Sequence, residues 1–241
     1  RMWEAMAVTV RGPEHAREAR PNQDACLVRR NRKAVLAVVC DGLGSRPHSD
    51  AGARSACRAA ADAVRHWTSS PDAPTELLLR AIHALWNIRV HATGRDESAT
   101  TCLLAAGCAD GRLILAQLGD GLVFLKKPTG CIALEPGADR FGNETTGLGI
   151  SKDVRDWRVH VEPQSEGRMA VLLATDGVDD DLLPEKREAL VDFLLADFAR
   201  PQGGAGSRAL AAELRSWPTP RHRDDKTLAL MWNEKTTGVA P

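Results

Sequence analysis

AVLAVVCDGLGS, Ala34 to Ser45, is a run of small and β-branched apolar residues that ends abruptly in Asp-Gly. Continuous apolarity over Ala34–Cys40 predicts a strand buried on both faces rather than one with a solvated side. Its tip therefore delivers a carboxylate, followed by a glycine that lets another backbone come close. Asp-Gly is also the commonest short hairpin turn, so each pair must be read in context. The pair occurs four times, at Asp41-Gly42, Asp110-Gly111, Asp120-Gly121 and Asp176-Gly177. Asp110-Gly111 lies between CLLAAGCA and RLILAQL, two strands of similar length, and predicts a type I′ hairpin. Asp41-Gly42 and Asp176-Gly177 follow the apolar strands LAVVC and VLLAT, and neither leads directly into another strand. Asp120-Gly121 is intermediate, because LILAQLG and LVFLKK suit a hairpin around it. Running the other way, Asp24 in RPNQDACLV and Asp224 and Asp225 in RHRDDKTLALMW precede strands.

Carboxylates gathered at strand ends repel one another, and one must take up a proton unless a cation offsets the charge. Hard oxygen donors without an accompanying Cys or His set favour magnesium or manganese over zinc. The competing reading is that each aspartate only caps its own loop. That reading stays open for any single aspartate but accounts poorly for the whole set.

The rest of the 241-residue chain predicts one α+β domain spanning residues 1–241. Strand-like runs fall at Met6–Val10, Ala25–Arg30, Ala34–Cys40, Thr100–Ala109, Leu113–Leu118, Leu122–Lys126, Trp157–Val161, Met169–Thr175 and Thr227–Trp232. Helical spacing marks Ser49–Trp67 with Ser49 as N-cap, Pro74 or Thr75 to Val90, Lys186–Ala199 and Ser207–Ser216. Most successive strands are joined by short turns, so the sheets should be largely antiparallel, with helices layered over them. Lys plus Arg equals Asp plus Glu at 32 each, which argues against a general hold on nucleic acid or an anionic membrane. The six cysteines include no CxxC pair, and several sit in apolar runs, as expected of reduced thiols in a cytoplasmic protein. No run approaches a membrane span, and RMWEAMAVTVRG has no signal-peptide core.

The ordered series of acidic motifs resembles the metal-dependent protein phosphatases of type 2C, the PPM family, in a compact bacterial form. The matching segments are Gly12–Ala25, Val38–Ala56, Ser98–Ala106, Leu118–Leu125, Leu172–Val178 and Arg223–Met231, with NQD, DGxGS, SxTT, GDG and DDKT forms. They run from about residue 12 to residue 232. The resemblance implies a four-layer α-β-β-α sandwich with two central, mainly antiparallel sheets. It implies hydrolysis of protein phosphoserine or phosphothreonine by water activated between two Mn2+ or Mg2+ ions, without a covalent intermediate. Carried over residue by residue, Asp41 bridges the ions and the Gly42 carbonyl binds one of them. Asp176 and Asp224 complete the first ion's shell, Asp24 holds the second through water, and Asp120 helps hold a third, weaker ion. Asp225 then takes the asparagine place of the family's D-N-x-T pattern. Asp41 and Asp176 are the expected catalytic carboxylates. Arg17 and Arg20 both qualify as the phosphate-gripping arginine, and spacing does not choose between them. Leu43 stands where some relatives carry a histidine proposed as general acid, so the leaving-group proton must come from elsewhere.

The implied partners are a phosphorylated protein substrate and, by analogy, a cognate serine/threonine kinase, acting on a cytoplasmic monomer with no nucleic acid and no membrane. His48 and His15 read as structural, Arg46 as a phosphate contact or a solvated residue, and Asp179-Asp180-Asp181 as a solvated turn. Asn143-Glu144-Thr145 falls where relatives carry a mobile flap. The rival function is a pseudophosphatase, the same fold kept as a binding or regulatory module. An aspartyl-phosphate phosphotransferase fits less well, because it needs a second Asp two residues after the nucleophile and Leu43 stands there.

Overall fold

The computed structural model describes residues 3–70, 72–134, 146–164, 167–199, 204–217 and 223–233. Asn143, Glu144 and Thr145 lie outside them. Among the described residues ten strands form two five-stranded antiparallel sheets. One has the order β1 (Trp3–Val10), β10 (Lys226–Asn233), β9 (Ala170–Ala174), β6 (Leu122–Lys127) and β7 (Gly130–Ala133). The other has the order β2 (Asp24–Arg30), β3 (Ala34–Asp41), β4 (Cys102–Cys108), β5 (Leu113–Leu118) and β8 (Arg158–Glu162).

The continuous apolar strands are explained by three cores stacked in layers. Along β3, Leu36, Val38 and Cys40 point to a core shared with α2 (Ser49–Trp67) and α3 (Thr75–Arg89). The alternate residues Val35, Ala37 and Val39 point to the core between the sheets, where Val171 and Leu173 of β9 meet them. Leu172 and Ala174 of β9 face the third core, under α5 (Arg187–Asp197) and α6 (Ala205–Arg215). Both β3 and β9 are thus buried on two faces, as period-two geometry requires when each face meets a layer. Helix α2 presents Ala53, Ala56, Ala59, Ala60 and Ala63 to its core, and these small side chains let the helix lie close to the sheet. At Gly52 even a methyl group would run into the Ser98 carbonyl, while the Gly52 carbonyl accepts from Trp86 Nε1 at 3.1 Å.

Three local expectations are corrected, and the open reading of Asp120-Gly121 is decided. Asp110-Gly111 does turn a hairpin between β4 and β5, but not as type I′. Gly111 alone takes positive φ (99°), and the Cys108 N–H donates to the Arg112 carbonyl at 2.8 Å around a three-residue loop. That is the turn-plus-left-handed-residue form, which asks for one glycine only. Asp120-Gly121 is no hairpin, because β5 and β6 belong to different sheets and the chain crosses between layers there. The crossing turns on Gly119 (φ 97°) and Gly121 (φ 95°), a conformation that favours glycine. Ser49 begins α2 but does not cap it: His48 holds the N-cap position, and the buried Ser49 hydroxyl accepts from Gln23 Nε2 at 2.8 Å. Asp179 and Asp181 do not form a solvated turn. The one-turn helix α4 (Asp176–Asp179) leads into ion pairs, Asp181 with the buried Lys226 at 2.9 Å and the half-buried Asp179 with Arg187 at 3.2 Å.

Candidate functional site

The antiparallel registers bring the tip of β3, the starts of β2, β6 and β10 and the end of β9 to one edge of the sandwich. Asp24 at the start of β2 and Asp41 at the end of β3 are direct partners in the ladder. Like charges placed directly opposite one another destabilise a sheet, so this pairing carries a cost that packing alone does not explain. Asp176 opens α4 immediately beyond β9, Asp224 and Asp225 lie immediately before β10, and Asp120 sits on the crossing between sheets.

These acids sense one another. Burial first, then the charges of Asp24 and Asp176, push the Asp41 carboxyl well above the usual carboxylate range, and Asp120 adds to the effect. Asp176 is raised to about 6 by burial, then by the charges of Asp120 and Asp224. Asp24 is raised to about 7, again by burial first, although hydrogen bonds from Thr227 and Thr175 favour its ionised form. The Thr175 hydroxyl donates to Asp24 Oδ2 at 2.9 Å. Asp24, Asp41, Asp120, Asp176 and Asp224 are therefore neighbours in one acidic cluster at the sheet edge.

Glycines and threonines build this cluster. A methyl group on Gly42 would lie 2.5 Å from the Ser49 carbonyl and 2.8 Å from that of Gln23. One on Gly177 would strike the Asp225 carbonyl, and one on Gly12 the backbone of Asp224. Glycine is required at all three by close approach of chains. The threonines of SATT fix the Asp41 peptide: Thr101 Oγ1 accepts from its N–H at 2.8 Å. Its carbonyl accepts from the Thr101 N–H and the Thr100 hydroxyl, both at 2.8 Å.

Asp225 has a different setting from Asp224. It is 2% exposed, and its Oδ1 accepts from the Gly12 N–H at 2.7 Å. Its Oδ2 accepts from the Gln23 N–H at 2.7 Å and pairs with His15 Nδ1 at 2.9 Å. His15, Asp224 and Asp225 offer ligand atoms within 4.8 Å of one another, but the Asp225 oxygens are already committed to three donors. That leaves Asp224, which is exposed and accepts from the Asp225 N–H, free to face outward.

The two candidate arginines sit on the short helix α1 (Pro13–Arg17) and just beyond it. Arg17 is exposed at the helix end, and Arg20 is held by Glu18 at 2.6 Å. The Arg20 N–H donates to the His15 carbonyl at 2.9 Å, so the His15–Asp225 pair anchors the segment carrying both. His48 lies 3.8 Å from Glu97, both of them exposed. The sequence set Asp225 apart from Asp224 and gave His15 a structural reading, but the roles of Lys226 and the two threonines were not distinguished in it. Only the doubled Asp of DDKT and the paired Thr of SATT could have signalled them.

The donor set suits hard divalent cations: the clustered groups are oxygens, three of them with raised affinity for a positive charge. The family model described as Protein phosphatase 2C matches residues 11–217. No curated protein sequence matches the chain. Solved structures similar to it include the PPM Ser-Thr phosphatase MsPP from Mycobacterium smegmatis in complex with cacodylate. That likeness has 20% identity, covers 95% of this chain and 97% of the other, and has a TM-score of 0.61. The catalytic domain of the serine threonine protein phosphatase PstP, in complex with two manganese ions, matches at 17% identity, over 96% and 99% of the chains, with a TM-score of 0.59. A C. elegans sex determining protein matches at 17% identity, over 95% of this chain and 64% of its own, with a TM-score of 0.66. At these identities the likeness is one of fold.

Proposed function

The chain belongs to the protein phosphatase 2C family, and from that premise we propose that it hydrolyses phosphoserine and phosphothreonine in proteins with Mn2+ or Mg2+ bound at its acidic edge. The observation that carries this reading is the Asp24–Asp41 ladder pair, with the charges of Asp176 and Asp120 also falling on Asp41. Such crowding is costly in isolation and becomes favourable around divalent cations.

In this reading Asp24, Asp41, the Gly42 carbonyl, Asp176 and Asp224 would hold the ions, with Asp120 assisting at a weaker third. Bound there, the ions would supply positive charge for the phosphate oxygens and lower the pKa of the attacking water. Thr100 and Thr101 hold the Asp41 peptide, so its carboxylate is presented at a fixed angle from a strand buried on both sides. Arg17 or Arg20 grips the phosphate, with α1 fixed through His15 and Asp225. Gripping by Arg20 requires its release from Glu18. A phosphoprotein is the substrate and a serine/threonine kinase the natural counterpart.

Asp41→Asn tests the reading. With Mn2+ present, hydrolysis of p-nitrophenyl phosphate and of a phosphothreonine peptide should fall by about 10²-fold or more, in line with losing one preorganised electrostatic group. Circular dichroism should be unchanged, because the Asp41 backbone contacts do not involve its carboxylate. Near-normal turnover in the variant rejects the assignment. A wild-type chain that binds phosphopeptide without turnover supports the regulatory module instead, a reading favoured by Leu43 at the position of the histidine carried by some relatives.

A further inference from the structure

On the helical side of the β2–β3–β4–β5–β8 sheet, α3 and the segment 151–154 enclose a cleft of about 550 Å³. Arg80, Arg95 and Lys152 supply three cationic side chains to its wall. The one acid lining it, Asp153, is neutralised within its own turn, where Arg155 holds it through Nε at 2.8 Å and Nη2 at 2.6 Å. Arg80 is partly occupied by Glu76 at 2.6 Å. Arg95 and Lys152 have no ion-pair partner among the described residues.

The polar lining points the same way. Trp157 Nε1, which can only donate, gives its hydrogen to His83 Nε2 at 2.9 Å. The imidazole is thereby fixed as the tautomer whose Nδ1 carries the hydrogen, so the ring that lines the cleft keeps one N–H donor. Burial first, then the charge of Arg95, hold His83 below its usual range, against the opposing charge of Asp156. Asn87 contributes a buried Oδ1 with no hydrogen-bond partner among the described residues. Turned over, that amide would present its N–H groups instead, the orientation that a phosphate oxygen requires. A buried unpaired amide is costly unless a ligand completes it.

We propose that this cleft is a second phosphate-binding site, distinct from the acidic edge and shaped for a dianionic phosphate group. Its chemistry is the reverse of the candidate active site, with N–H donors and cations in place of crowded carboxylates. Arginine suits such a ligand through its forked, always-charged guanidinium, with lysine adding a point charge. The two sites are joined through the chain. Ser151 is tied to Gly147 by its N–H at 2.8 Å and its hydroxyl at 3.3 Å. Leu148 next to Gly147 exchanges both backbone hydrogen bonds with Thr100, at 2.8 and 3.1 Å, and the Thr100 hydroxyl holds the Asp41 carbonyl. A phosphate seated against Lys152 is thus a few bonded steps from the carboxylate assigned to the metals.

Binding can be measured without catalysis, so the result is independent of the phosphatase reading. Pyrophosphate is titrated calorimetrically into Asp41→Asn protein in EDTA, and into the same protein carrying Arg95→Ala and Lys152→Ala. Both added substitutions are at exposed positions and should leave the fold intact, which circular dichroism checks. Saturable binding that weakens at least tenfold in the combined variant, and that weakens with salt, is expected. Absent binding, or equal binding in both proteins, overturns the proposal. The source of the phosphate follows from a second arm on the otherwise wild-type enzyme with Mn2+. If a doubly phosphorylated peptide has a lower KM than its singly phosphorylated form, and Arg95→Ala/Lys152→Ala erases the difference, the occupant is a second phosphorylated residue of the substrate. Equal KM values alongside pyrophosphate binding assign the site to a small soluble phosphoanion.

Discussion

Asp224 and Asp225 are adjacent in sequence and face different worlds. Asp225 gathers two backbone N–H groups and His15 in a buried pocket, so truncating it strands three donors at once. Each buried donor left unpaired costs about 1–3 kcal/mol. Asp225→Ala is therefore expected to destabilise the fold by about 3 kcal/mol or more, read from the urea midpoint. Asp225→Asn, which restores the family's residue, keeps one accepting oxygen and should cost roughly half as much. Asp224→Ala removes no such acceptor network and should leave the urea midpoint nearly unchanged while weakening Mn2+ binding in calorimetry. Lys226, one residue on, is fully buried and pairs with Asp181 while also donating to the Gly177 carbonyl. Lys226→Met removes the buried cation that faces Asp181 and the donor to the Gly177 carbonyl, and about 3 kcal/mol or more should be lost. Adding Asp181→Leu removes the opposing carboxylate as well and should recover part of that loss. A double variant no more stable than Lys226→Met would mean that the contact with Gly177, not the ion pair, is what matters.

Elements whose pattern is repeated over many residues could be read from the sequence with their bounds nearly right. The structure has α2 at Ser49–Trp67 and β3 at Ala34–Asp41, because two-faced burial and helical spacing leave long signatures. Short elements left none: α1 is five residues, α4 is four, and β7 is a four-residue edge strand. The crossing at Gly119–Gly121 was illegible for another reason. A hairpin within one sheet and a step between two sheets both look like apolar strand, glycine turn, apolar strand. Four of the acidic members were legible as strand-end carboxylates beside a glycine or a second acid, whereas Asp24, between Gln23 and Ala25, was marked only by its place at the head of a strand and by the NQD form. Their clamps Thr100 and Thr101 were not, since a threonine entering a strand has many ordinary uses, and for His15 only a structural role was legible, without its partner Asp225. Gly177 tests the close-approach argument at this scale. Its φ is not positive, so Gly177→Ala is strained only by collision with the Asp225 backbone. The substitution should push α4 away from the start of β10, lowering Mn2+ affinity and activity together. By contrast, Gly94→Ala meets no neighbouring atom within 4 Å and has only its positive φ to accommodate. It should cost about 1 kcal/mol of stability, typical of a non-glycine residue held in that region, with activity unchanged. Equal losses of activity in both variants would remove steric contact as the explanation.

At the scale of the whole molecule, zero formal net charge conceals a strongly uneven distribution, with at least five acids drawn to one edge. The consequence is a dependence of stability on pH whose sign follows from the raised carboxyls. In the metal-free fold Asp24 titrates near 7 and Asp176 near 6, against ordinary aspartate values of about 3.9 in the unfolded chain. Between those limits the folded state binds more protons than the unfolded state, so stability must fall as pH rises. The penalty is absent below about pH 4, grows through pH 5 and 6, and is fully developed above about pH 7. In EDTA, the melting temperature should therefore drop by several degrees between pH 5 and pH 8. Divalent cations act in the opposite sense: they require ionised carboxylates, release protons on binding, and bind more tightly as pH rises. With millimolar Mn2+ the slope should flatten or reverse, and calorimetry in buffers of different ionisation enthalpy should register the protons released. Asp24→Asn separates this account from generic acid effects. It removes one of the two facing charges, so the metal-free protein should become more stable at pH 8 than the parent while gaining less from Mn2+. If Asp24→Asn instead destabilises the metal-free protein at pH 8 and leaves its Mn2+ response intact, the carboxylates are not the strained, cation-seeking set that the sheet edge implies.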